Sequence, residues 1–301
     1  MRTPVILRML GSAGRAWWDD DCTRMGASLS YYTLFAIAPI LLVATAIAGL
    51  VFGAEAVRGE IVGQLDRLVG REGALAVQSL LEGATHRRAG IFATLIGSIA
   101  FLIAATGAFL ELQVALNTIW RVKPNPKGHF YAFVMDRVRS FGLVVAIGFL
   151  LLVSLTVTAA LAGLNAWLLN LSPANALLWS IVNTLVSIVV TTGLFALLFR
   201  FLPDVRLRWR DVTMGAVVTA VLFTIGQQVI GLYLGQSAIA SSYGAAGSMM
   251  ILLLWVYYSC QILLYGAEFT RVWAARHGAR PKPESFAVKD PDAINPKSAL
   301  G

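Results

Sequence analysis

Six apolar runs, each of about twenty residues or more, leave this chain few folds to choose from. They fall at about 29–52, 91–119, 141–165, 177–201, 213–236 and 246–273. A bilayer core roughly 30 Å thick takes about 20 apolar residues in a helix. Lipid offers no hydrogen bonds to a bare backbone, so such runs must be helices or strands of a closed barrel. Barrel strands would alternate in character over about ten residues, and these runs do not. Hydrophobic residues make up 57% of the chain and charged ones 13%, against about 25% charged in an ordinary soluble domain. The expectation is an all-α polytopic membrane protein of six spans.

Lys and Arg orient it. Nineteen of the 24 lie in the N-terminal segment, the second and fourth loops and the C-terminal end, and five in the first loop. The loops near 166–176 and 237–245 hold none. The side that retains basic loops is the cytoplasmic one, so both termini are expected there. The same count accounts for the formal net charge of +8, and no nucleic-acid partner is needed to explain it.

Two segments have interfacial character. In the first external loop Val57, Ile61, Leu65 and Leu68 recur at helical spacing between charges, and in the N-terminal segment, residues 1–28, so do Ile6, Met9, Leu10, Ala13 and Trp17. Both read as amphipathic helices lying on the membrane surface. The tail, residues 274–301, is polar and dotted with prolines, and disorder is expected of it.

Polar residues inside the spans are the candidates for function. The second span carries Glu111, Gln113 and Asn117 before it leaves the membrane at Trp120 and Arg121. Glu111 lies ten residues before Arg121, or ~15 Å along the axis, and so within the hydrocarbon zone. A carboxylate facing lipid costs several kcal/mol, so Glu111 should face the bundle interior or a wet cavity. Gln113 and Asn117 are four apart and share a face. Gln227 and Gln228 lie in the fifth span and Gln261 and Glu268 in the sixth. These seven could line a substrate path or an ion site, or could lock helix packing. For Glu268 the local alternative is an ion pair with Arg271, three residues on. Pro39 should bend the first span and is a hinge candidate. The GxxxG of Gly231 and Gly235 suits close packing within one chain or in a homo-oligomer.

Signals for catalysis are poor. His86, His129 and His277 fall in different loops without ligand spacing, and there is no Walker A, nucleophile elbow or HExxH. Cys22 and Cys260 give no reason to pair. Asp19, Asp20 and Asp21 read as a solvated helix start. No enzymatic activity, cofactor or metal is expected, and any transport would run downhill or on an ion gradient.

Four stretches resemble the YihY/BrkB family of bacterial inner-membrane proteins, formerly labelled ribonuclease BN. They are "ASLSYYTLFAIAPILL" at 27–42, "ALNTIWRVK" at 115–123, "LPDVRLRWRDVTMGAVVTA" at 202–220 and "YGAAGSMMILLLWVYYSCQILLYGAEFT" at 243–270. The resemblance implies a six-span inner-membrane protein with both termini inside, and roles in serum resistance and envelope-related export. Gln113, Asn117 and Glu268 match its motif positions, whereas Glu111 does not. The old nuclease label finds no residues here able to bind catalytic metals or activate water. Export of an amphiphilic substrate such as a lipid is the favoured reading. An envelope assembly factor without transport is the alternative, and a membrane-embedded hydrolase the third.

Overall fold

A computed structural model describes residues 5–52, 78, 107–124, 176–236, 247–277, 281–284 and 287–290. In chain order the described elements are α1 (Val5–Asp19), α2 (Cys22–Phe52), α3 (107–119), β1 (Val122–Pro124), α4 (Ala176–Phe201), β2 (Val205–Arg206), α5 (Trp209–Gln236), α6 (Gly247–Arg276), β3 (Lys282–Pro283) and β4 (Ala287–Lys289). Among the described residues, three stretches are long and apolar enough to cross a membrane: Thr184–Phe201, Trp209–Ile230 and Met249–Arg276. They belong to α4, α5 and α6, the expected fourth, fifth and sixth spans. The first span lies inside the 31-residue α2, which continues as helix through Pro39. Of the second span 107–119 is described, and the third span and the amphipathic part of the first loop lie outside the described residues.

α1 and α2 are separated by Asp21, whose backbone has a left-handed φ of 52°. Asp tolerates that conformation better than most side chains. The Asp21 carbonyl accepts from the N–H groups of Arg24 and Met25, at 3.0 and 3.1 Å, so this residue starts α2. The acidic run is therefore a helix junction. α3 ends in the same way at Arg121, with φ 57°, and its N–H donates to the Thr118 carbonyl at 3.1 Å.

The chain divides into two compact units. The first contains Met1–Ala16, Leu116–Leu222 and Tyr265–Gly301. Here Met9 and Ala13, on the apolar face of α1, bury against Phe269 of α6 with Val272 and Trp273 beside them. The Tyr265 hydroxyl donates to the Leu10 carbonyl at 3.0 Å, which ties α1 to α6 at a second point. The second unit contains Trp17–Ala115 and Phe223–Leu264, and its core is Leu29 of α2 with Ile251, Leu252, Val256 and Cys260 of α6.

Within the first unit α5 and α6 cross by a reciprocal fit. A Cβ placed on Gly215 would overlap the Thr270 side chain, and one on Gly266 would overlap that of Thr219. Each threonine follows its own helix's glycine by four residues and turns its hydroxyl back to that glycine's carbonyl, at 2.7 Å in both cases. The hydroxyls are thereby satisfied inside their own helices. Without a hydrophobic drive in lipid, close van der Waals contact at small residues is what holds such helices together.

The described part of the tail after α6, 281–284 and 287–290, departs from the expectation of disorder, and 291–301 lie outside the described residues. β4 pairs antiparallel with β1, matching Val122 to Lys289 and Pro124 to Ala287. β3 pairs antiparallel with β2. The Glu284 N–H donates to the Asp204 carbonyl at 3.0 Å, and the Asp290 N–H to the Arg121 carbonyl at 2.9 Å. Ion pairs Lys123–Asp290 and Arg206–Glu284, each at 3.0 Å, flank the ribbons. Prolines and charges lower a segment's own tendency to fold, but a strand needs only a partner edge, and two loops supply one. Ending the chain after Arg280 should therefore lower the melting temperature of the detergent-solubilised protein, by the equivalent of roughly 1–3 kcal/mol for a few lost hydrogen bonds and exposed ion pairs. A tail without contacts would leave the melting curve unmoved.

Candidate functional site

The polar residues of the spans separate into two kinds. In the first unit they are paired and buried. Asn117, 6% exposed, lies two residues before the end of α3, and Asp204, 2% exposed, lies in the turn after α4. The Asn117 amide nitrogen donates to Oδ2 of Asp204 at 2.7 Å, and the Asp204 backbone N–H donates to the Asn117 Oδ1 at 2.8 Å. Only this orientation of the amide satisfies both contacts, since the carboxylate can only accept and the N–H can only donate. Leu-Pro-Asp ends α4: the proline has no N–H to continue the helix's hydrogen-bond ladder, and the next N–H, that of Asp204, is capped by Asn117.

Glu268 has no exposed surface at all. Its Oε2 accepts from Nε and Nη2 of Arg271 at 2.9 and 2.7 Å. The arginine keeps a quarter of its side chain exposed, so the pair reaches from a dry position toward the end of α6. The local ion pair expected from the three-residue spacing is what the structure holds. Glu268 also lies between Gly266 and Thr270, inside the stretch of α6 that interlocks with α5.

In the second unit Gln261 is half-buried. Its side chain fills the space over Gly26 of α2, and its Nε2 donates to the Thr23 carbonyl at 3.4 Å, a weak bond. Gln113 is 9% exposed, on the same face of α3 as Asn117. Glu111 and Gln227 are half-buried, and Gln228 is exposed. Asn117 is thus brought together with Asp204, Glu268 with Arg271, and Gln261 with α2, while Glu111, Gln227 and Gln228 join no described polar cluster. Among the described residues no three His, Cys, Asp or Glu side chains converge as metal ligands would.

Three participants, Asp204, Thr219 and Thr270, were not among the site candidates. Asp204 follows a proline immediately after a span, and an acid in that position is a signal for a buried cap. Thr219 and Thr270 each follow a glycine by four residues, and this spacing is written twice, in helices that are successive in the chain.

Residues 13–290 match the virulence factor BrkB family. A UPF0761 membrane protein of Ralstonia nicotianae is 28% identical over 252 residues, which are 83% of this chain and 55% of that protein. One from Pseudomonas paraeruginosa is 28% identical over 275 residues, 88% of this chain and 63% of its own. One from Verminephrobacter eiseniae is 30% identical over 258 residues, 83% and 58%. Alignments with these curated relatives thus cover between 55% and 63% of their length. No solved structure matches the chain. The match takes in the Asn117–Asp204 cap, the α5–α6 interlock and the strand ribbons alike, and the chain is an integral membrane protein that belongs to the virulence factor BrkB family.

Proposed function

We propose that the protein moves an amphiphilic, envelope-related substrate across or out of the bacterial cytoplasmic membrane, with no ATPase and no catalytic step of its own. The observation that carries this reading is the contrast between its polar residues. Asn117 and Glu268 are spent on internal pairs, whereas Glu111 and Gln228 keep exposed surface on apolar helices. Such groups are costly against lipid and cheap against a wet path or a polar headgroup.

Six spans with both termini cytoplasmic is the topology that fits. The ribbons pair 122–124 with 287–289 and 205–206 with 282–283, which supports an even number of crossings between these segments. Two apolar runs between 124 and 205, and two between 206 and 282, meet that condition. The Arg-rich flanks then fall on one side, as the positive-inside rule requires. Membrane lipids are the nearest partners on this reading.

The test is lipid movement in liposomes carrying a fluorescent phospholipid. Wild type should move lipid, and Glu111→Gln, matched for thermal stability, should slow it about tenfold, taking one lost polar contact to a headgroup as worth about 1.4 kcal/mol. Glu268→Gln should act chiefly by lowering stability. If no variant moves lipid, the second reading takes over, an envelope assembly factor. The Asn117–Asp204 and Glu268–Arg271 pairs favour that alternative, because both serve rigidity.

A further inference from the structure

One exposed face of the second unit is unlike the rest of the described apolar surface. Tyr31 and Phe35 of α2 are each 58% exposed, and Tyr32 is 41% exposed. The Tyr31 ring meets Tyr32 edge-on, with centroids 5.7 Å apart, and meets Phe35 at 4.9 Å. A Cβ on Gly107 of α3 would stand 3.1 Å from the Tyr32 ring, so the absent side chain is what lets α3 pass over this tyrosine. Glu111 is four residues from Gly107 and lies on the same face of α3. α2 leaves the Arg-rich end of the chain and α3 returns to one. Glu111 lies one turn along α3 from the point where that helix meets Tyr32.

Charge adds to this. Arg24 is the one basic residue in α2, two turns away and beside Asp21, and 107–119 contains none. A carboxylate one turn from the point where α3 meets an accessible ring cluster, with no basic residue of either helix close by, is complementary to a cation. Ring faces attract an alkylammonium through their quadrupole, and the carboxylate supplies the counter-charge.

We infer that Tyr31, Tyr32 and Phe35 of α2, together with Glu111 of α3, form a membrane-accessible site for an amphiphile with an ammonium headgroup. Taken with the proposed transport, on which this role rests, the site names the substrate class. The flanking Leu110 and Val114, 41% and 58% exposed, would receive its chain.

The test is photolabelling of the full-length protein in liposomes by a diazirine-bearing dodecyltrimethylammonium, with labelled peptides mapped by mass spectrometry. Label should concentrate on 31–35 and 107–114, and unlabelled dodecyltrimethylammonium should compete for it while dodecyl sulfate does not. Glu111→Gln and Tyr31→Leu should each reduce labelling about tenfold, and Tyr31→Phe, which keeps the ring, should retain it. Equal competition by dodecyl sulfate, or labelling indifferent to Glu111→Gln in a variant of unchanged melting temperature, overturns the inference. Equal competition by free tetramethylammonium overturns the amphiphile part. Specific labelling without lipid movement would leave the site standing and remove the transport reading. Lipid movement with unspecific labelling would do the reverse.

Discussion

Gly266→Val should be among the most disruptive single changes in this protein. The new side chain would occupy the space of the Thr219 hydroxyl and methyl, and both partners sit on helices that cannot part without opening the core of the first unit. Overpacking of this kind costs about 1–3 kcal/mol where neighbours can shift, and more where they cannot. Here the obstacle is a β-branched side chain fixed by its bond to the Gly215 carbonyl, so the upper end is expected. Thermal unfolding in detergent measures it. The informative partner is the exchange Gly266→Thr with Thr219→Gly, which restores the sum of volumes. It should recover more than half of what Gly266→Thr loses alone, a coupling that independent sites would not give. Gly11→Ala is the control. Nothing lies within 4 Å of a Cβ there, and the change should be neutral or stabilising by up to about 1 kcal/mol.

Asn117→Asp should be comparably severe while changing hardly any volume. The amide nitrogen that now donates to Asp204 at 2.7 Å becomes a second carboxylate oxygen, in a place where both residues are almost fully buried. Like charges at that distance and a lost donor together cost on the order of 3–5 kcal/mol. The expected result is poor accumulation in the membrane and a depressed melting temperature. Asp204→Asn on the same background returns a donor to the pair and should rescue part of the loss. No rescue would mean that Asp204 acts through its other contacts instead.

What could be read from residue order alone follows a physical line. Runs such as Thr184–Phe201 and Met249–Arg276 declare themselves because bilayer thickness and backbone hydrogen bonding leave one solution for a long apolar segment. The Glu268–Arg271 pair was legible for a similar reason, since three residues along a helix is a local distance. Asn117 was recognisable as important but not as half of a pair, because its partner lies 87 residues on, beyond two of the expected spans. The strands β3 and β4 were not legible in the tail because composition reports a segment's own propensity, and they take their order from edges far away in the sequence. Glu111, Gln227 and Gln228 stand where the sequence left them, as polar groups without a described partner, and that is why they remain the candidates for contact with a substrate.

The ribbons have a consequence for how the protein is made. β4 is synthesised after α4, α5 and α6, yet its partner β1 emerges before any of them exists. During translation the 122–124 and 205–206 edges must wait unpaired while the later helices enter the membrane, and exposed edges are where chains pair wrongly. Closure comes only once translation has passed α6, so a polypeptide stalled or terminated between α6 and β3 would be left with two open edges for quality-control proteases to find.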